Sequence, residues 1–363
     1  MTKIVNEVPD NKPIKTKEPT VKKNFNITNF RDRIGAPDIL DKPLVWIKID
    51  DALAEVTGIP GIPKGYTTLF RGYSDTGKST ALELGIVNAQ KMGILPIIID
   101  TENNLSRERL KLMGFDWDGE FIMIDNEFLL EHFGRKLDKD IAQASIEDMG
   151  KAISYFLNLQ ASGELDREIL FAIDSIGTLN CIQTINALEN DESNNNMWNS
   201  GASEKVFMTL LNSTIPNSRK TDKKYTNTII AVQKIWYDSM IKVIKHKHGE
   251  TFWIGARLIY HFGGILAKGT KKITATSKKR EVQYGVEVQV NVAKNHVDGP
   301  LGGIAMQGKI ISTPHGYVTP DGLDEYKKKN ILYFRNLFGN DINAEDIEDK
   351  IEVVEDDLIE RSE

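Results

Sequence analysis

The sequence of 363 residues holds one cysteine, Cys181, so no disulfide can form within the chain and a disulfide-stapled scaffold is excluded. It has no apolar run of membrane-spanning length, which excludes a helical span. The opening Met1-Thr2-Lys3-Ile4-Val5-Asn6-Glu7 lacks the apolar centre of a signal peptide. No internal repeat is visible. These absences give the expectation of a soluble, cytoplasmic protein. Hydrophobic residues, in contrast, make up 40% of the chain, enough for a sizeable buried core.

Charge is unevenly placed. Asn340–Glu363 carries 11 acidic and 2 basic side chains, a net −9, which leaves +3 for the rest of a chain whose total is −6. Within that remainder, Arg219–Arg280 holds 15 Lys/Arg against 3 acids. A basic middle with an acidic tail is a footprint of nucleic-acid partners, although charge runs also serve solubility.

Composition divides the chain into three parts. Residues 1–43 begin with a polar, Lys- and Pro-rich arm, followed by a short apolar-containing segment (Phe25, Ile27, Phe30, Ile34) that is too small to be a domain. Residues 44–322 read as a globular core, and residues 323–363 as a short helix with an acidic tail. In the core, Thr67–Phe70, Leu95–Ile99, Ile169–Ile173 and Thr228–Val232 are apolar without alternation, the pattern of buried parallel strands. Helices are predicted over Ser79–Met92, closed by Gly93, and over Ser145–Gln160, closed by Gly163. Strands alternating with helices imply a parallel sheet with crossovers. Farther on, Val286, Val288, Val290 and Val292 alternate with polar residues, and Ile304–Ile310 could form another strand, so antiparallel strands are expected along one edge.

Gly72-Tyr73-Ser74-Asp75-Thr76-Gly77-Lys78-Ser79 matches the phosphate-binding pattern G-x-x-x-x-G-K-[ST]. Its glycines let backbone N–H groups curl around phosphate oxygens, Lys78 reaches the terminal phosphates, and the Ser79 hydroxyl is suited to Mg²⁺. The loop follows a strand and opens a helix whose N-terminus favours anions, with Thr80 next in line. ATP with Mg²⁺ is therefore the expected ligand. The strand Ile169–Ile173 runs into Asp174, where such proteins hold the magnesium directly or through water. The strand Leu95–Ile99 runs into Asp100-Thr101-Glu102, at the carboxyl edge where parallel α/β sheets place ligands. There Glu102 could polarise an attacking water and Asp100 could fix the loop; a cap or surface role is the alternative for both.

Thr228–Val232 ends in Gln233, an amide able to sense a γ-phosphate. The next 29 residues, Lys234–Phe262, show little periodicity. They carry Trp236, Tyr237, Lys242, Lys245, Lys247, Phe252, Trp253 and Arg257, a mix in which bases stack on aromatics while cations follow phosphates. A partly buried helix whose aromatics belong to the core is the competing reading.

These residues together resemble the RecA family of recombinases, in a divergent form of the kind found in large bacteriophages. The resemblance runs from about Ile47 to Tyr317. It implies an α/β fold with a P-loop RecA-like core: a mostly parallel sheet, helices on both faces and an antiparallel edge. It places the family's catalytic glutamate on Glu102, its magnesium-side aspartate on Asp174 and its γ-phosphate sensor on Gln233. Its main DNA-binding loop falls on Lys234–Phe262, with a second near Asn190–Ser200. In Val290-Asn291-Val292-Ala293-Lys294-Asn295-His296, Lys294 corresponds to the first of two lysines that reach ATP on a neighbouring subunit, whereas the second position is His296. Arg109 stands where the family often stacks an aromatic on adenine; a guanidinium can also stack on a base.

The resemblance implies a DNA-dependent ATPase that assembles as a helical filament of identical subunits on single-stranded DNA, pairs it with double-stranded DNA, and exchanges strands. A phage origin would place it in the host bacterial cytoplasm. Two alternatives share the core: a ring-forming replicative helicase, and an ATP-gated DNA-binding adaptor without strand exchange.

Overall fold

The computed structural model describes residues 41–72, 75–134, 144–190, 202, 206, 213–234, 262–277, 280–292, 297 and 307–353. Most of the N-terminal arm, the Asn190–Ser200 loop beyond its first residue and the last ten residues therefore lie outside it. The described chain begins with an antiparallel pair, Trp46–Lys48 (β1) and Gly61–Pro63 (β2), joined through the helix Asp51–Thr57 (α1). Asp50 caps α1 by accepting from Ala52 N at 2.8 Å, satisfying an N–H that has no partner within the helix.

The apolar runs predicted as buried strands are strands: Thr67–Gly72 (β3), Leu95–Asp100 (β4), Ile169–Asp174 (β6) and Thr228–Lys234 (β7), with Ile122–Ile124 (β5) beside β4. Every residue of β3, β4 and β6 is buried. Phe262–Ser277 (β8) continues the parallel set by pairing with β3. The order across this part is β8-β3-β7-β6-β4-β5, so β3 and β4, consecutive in sequence, are separated by two strands. The crossing element is the helix Lys78–Lys91 (α2), close to the predicted span.

Helices cover both faces. Ile98, Leu170, Ala172, Ile230 and Val232 point towards α2 and the short helix Arg107–Leu112 (α3), forming one apolar cluster. The alternate residues Ile97, Ile99, Phe171, Ile173, Ile229 and Ala231 form another with Asn126–Phe133 (α4) and Ile146–Ser162 (α5). A strand buried on both sides has no use for polar alternation. Each Val, Leu, Ile or Phe among them contributes about 1.5–3 kcal/mol on leaving water. In α5, Ser145 and Asp148 form a capping box, and Gly163 closes the helix at φ 84°, the stop the sequence predicted. A further helix, Ile182–Glu189 (α6), follows β6.

The antiparallel edge comprises β8, Arg280–Val292 (β9), Gln307–Thr313 (β10) and Gly316–Val318 (β11). The predicted strand at Ile304–Ile310 is a strand from Gln307 and runs on to Thr313, with 304–306 outside the described residues. The C-terminal region departs from the expected single helix and tail. It holds two helices, Leu323–Lys329 (α7) and Ile331–Phe338 (α8), and a strand, Glu348–Val353 (β12), which pairs antiparallel with Lys271–Thr276 of β8. The acidic run conceals a strand because Asp349 is met by partners from elsewhere in the chain. Asp349 accepts from Lys327 Nζ at 2.9 Å and from the Tyr284 hydroxyl at 2.8 Å. Phe334, Phe338, Ile342 and Ile347 bury a third core against Ile273 and Tyr284.

Candidate active site

The site gathers at the carboxyl ends of the parallel strands. β3 ends at Gly72; Tyr73 and Ser74 lie outside the described residues. Asp75 (φ 58°) and Gly77 (φ 77°) then turn the chain through the left-handed region into α2. Gly77 is required twice over. A Cβ there would stand 2.7 Å from Ser312 Oγ as well as carrying the positive φ. The Gly77 carbonyl accepts from the buried Tyr317 hydroxyl at 2.5 Å, so β10 and β11 brace the phosphate loop from behind. Thr80 is fully buried and shares a 2.8 Å hydrogen bond with Ser312.

Ser79 Oγ donates to Asp174 Oδ2 at 3.1 Å, which joins the first turn of α2 to the end of β6. Burial pushes the Asp174 carboxyl up to about 6, with Glu102 adding to the shift. Burial also pushes the Lys78 amine down to about 8, against the pull of Asp174. Both groups are charged at neutrality yet poorly solvated, so an anion at Lys78 and a cation at Asp174 would relieve both. A divalent cation fits this donor set, since Mg²⁺ takes one or two protein oxygens and completes its shell with water and phosphate. Among the described residues no group of three or more acidic, histidine or cysteine side chains could hold a metal.

Glu102 is held by the neighbouring strand ends. Ser175 Oγ donates to its Oε1 at 2.6 Å and Asn104 Nδ2 to its Oε2 at 2.9 Å. Its backbone N–H and that of Thr101 both donate to the Asp174 carbonyl, at 3.3 and 2.7 Å. Asp100 accepts from Asn104 N and Leu105 N at 3.3 and 3.1 Å, a loop-fixing arrangement. Gln233 is buried at the end of β7, in register with Arg71, while Lys234 is exposed opposite Gly72.

Arg109, on α3, does not lie loose over the site. Its Nε meets Glu83 Oε2 at 2.7 Å and its Nη2 donates to Thr80 Oγ1. Glu83 is 2% exposed, and burial raises its carboxyl to about 7. A cavity of about 430 Å³ opens beside Asp75–Thr80 and Arg109, walled on its far side by β9 and β10.

The structure thus brings together Gly72, Asp75, Thr76, Gly77, Lys78, Ser79, Thr80, Glu102, Arg109, Asp174 and Gln233. The predicted DNA contacts Trp236, Tyr237, Lys242, Lys245, Lys247, Phe252, Trp253 and Arg257 lie outside the described residues, as do Lys294 and His296. Sequence reasoning missed Glu83, Ser175, Ser312 and Tyr317. Glu83 carried a signal, a carboxylate between Leu82 and Leu84 within the otherwise apolar stretch Ala81–Val87. The other three become visible only in the fold, Ser175 where β6 meets β4 and Ser312 and Tyr317 where β10 and β11 meet the loop. No helix among the described residues is long and apolar enough to cross a membrane.

No protein-family model matches the chain. It is 37% identical over 93 residues to Protein RecA of Francisella philomiragia subsp. philomiragia, covering 26% of this chain and 25% of that protein. Protein RecA of Francisella tularensis subsp. novicida matches at 36% over 92 residues, covering 25% of this chain and 24% of that one. The matched stretch is about a quarter of the length of these curated relatives. The chain has a RecA-like relationship, and its fold is an α/β RecA-like core with an antiparallel edge.

Proposed function

We propose that this protein is a DNA-dependent ATPase that forms filaments on single-stranded DNA and promotes homologous pairing and strand exchange. The observation that carries the proposal is the convergence of Lys78, Ser79, Asp174 and Glu102 at one edge of the sheet, in a chain similar to RecA. Lys78 and the N-terminus of α2 take the phosphates. Ser79 and Asp174 hold Mg²⁺, which neutralises phosphate charge when bound. Glu102 orients and deprotonates the attacking water, and Gln233 reports the state of the γ-phosphate to the loop that begins at Lys234. That loop stacks bases on Trp236, Tyr237, Phe252 and Trp253 and follows the backbone with Lys242, Lys245, Lys247 and Arg257. Lys294 reaches the ATP of the adjoining subunit, and double-stranded DNA is the pairing partner.

Electron microscopy of the full chain with ATP, Mg²⁺ and single-stranded DNA tests this reading. Helical filaments are expected. Closed rings would favour a replicative helicase, and isolated particles would favour a nucleotide-gated adaptor.

A further inference from the structure

The cavity beside the phosphate loop runs from the loop towards β9 and β10. Its walls are Asp75–Thr80 and Arg109 on one side and Gly285, Val286, Ser312, Thr313 and Pro314 on the other. Neither Glu102 nor Asp174 lines it. With phosphates at Lys78 and Ser79, this end is left for the ribose and base of the nucleotide. Among the described residues that line it, the one cationic side chain beyond the phosphate loop is Arg109. The guanidinium is held by an ion pair from Nε to the buried Glu83 at 2.7 Å and by donation from Nη2 to the buried Thr80 hydroxyl. Among the described residues, Nη1 has no protein partner. A pair that only fastened α3 to α2 would not need to open on the cavity.

We infer that Arg109, clamped by Glu83 and Thr80, reads the nucleotide base by hydrogen bonds from its remaining edge, and that the site accepts guanine nucleotides at least as well as adenine nucleotides. This rests on the nucleotide site proposed above. A guanidinium only donates. Guanine offers two acceptors, O6 and N7, to a forked donor; adenine offers N7 beside an amino group that itself donates. Glu83 is then a positioning residue. Without it the side chain is free to swing, and the ordering of its rotamers falls on the binding step.

The test is calorimetric titration of the full chain with Mg²⁺ and either ADP or GDP, which avoids turnover. The wild-type protein should bind GDP with a Kd equal to or below that for ADP. Arg109→Lys, which keeps a charge for Glu83 but loses the fork, should weaken GDP relative to ADP by about tenfold, the scale of one lost bidentate contact. The double change Glu83→Leu with Arg109→Met removes both buried charges together and should shift the ratio similarly; thermal melts check that each variant folds. Wild-type GDP binding much weaker than ADP binding overturns the inference, as does a ratio that Arg109→Lys leaves unmoved, or equal losses for both nucleotides, the sign of stacking alone. Binding of neither nucleotide by the wild-type protein overturns the nucleotide site itself.

Discussion

Replacing Asp174 by Asn should make the nucleotide-free protein more stable while disabling it. Burial raises the Asp174 carboxyl from 3.8 to about 6. At about 1.4 kcal/mol per pKa unit, keeping it ionised in the fold costs about 3 kcal/mol. The sign follows from linkage. A carboxylate whose folded value is raised supports the fold below its unfolded value, and that support is lost as pH rises through the folded one. The cost is therefore negligible below about pH 4, about half developed near pH 5, and complete by about pH 8. Lys78 loses its main counter-charge in the variant, which offsets part of the gain, leaving a net stabilisation of about 2 kcal/mol at the upper end. Urea denaturation of wild type and Asp174→Asn at about pH 5 and about pH 8 measures this directly, and the difference should grow with pH. Mg²⁺ with ATP should then stabilise the wild type and not the variant. A variant no more stable than wild type near pH 8, or a difference that does not change with pH, would refute the argument that this carboxylate is held ionised at a cost.

Gly77→Ala should destabilise the fold by about 1–3 kcal/mol, because it combines a positive φ with a contact inside van der Waals range of Ser312; a thermal melt checks it. Lys78→Ala should abolish nucleotide binding, whereas Glu102→Gln should retain bound ATP and stop hydrolysis, a contrast that paired binding and turnover assays resolve. Trp236→Ala or Phe252→Ala should each weaken single-strand binding by about 1–3 kcal/mol, read by fluorescence anisotropy. Neutralising Lys242, Lys245 and Lys247 should flatten the salt dependence of the same titration. Ending the chain at Val353 removes five acids and one base and keeps β12. It should speed loading on duplex most at low salt, if the acidic residues compete with DNA; stopped-flow binding at two salt levels decides it.

Buried strands were the most legible part of the fold. Ile97–Ile99 and Ile169–Ile173 are apolar because both faces are covered, and no surface demand breaks the run. Ser145 and Gly163 marked the ends of α5 because a cap and a left-handed terminus each restrict residue type. β8 was not legible, since Lys268, Gly269, Lys271 and Lys272 interrupt its apolar pattern. Pairing with β9, β3 and β12 supplies what local propensity lacks. β12 was hidden in the same way, within an acidic run in which Asp349 finds its partners, Lys327 and Tyr284, far off in sequence. In the site, the phosphate loop was readable because backbone geometry demands glycine at Gly77. The clamp on Glu102 was not, because Ser175 gains its meaning only from the meeting of β4 and β6.

β8 has a mechanical consequence. Its first residues are hydrogen-bonded to β3, the strand that ends at the phosphate loop, and its last to β12, on the third core. One sixteen-residue strand thus serves as a spar between the two, and it starts at Phe262, where the long basic loop returns to the sheet. A pull on that loop cannot be absorbed by sliding, because a shift of one residue would break the ladders to β3, β9 and β12 together. Load applied at Phe262 passes instead into β3 at one end and β12 at the other, so the phosphate loop and the third core bear it jointly.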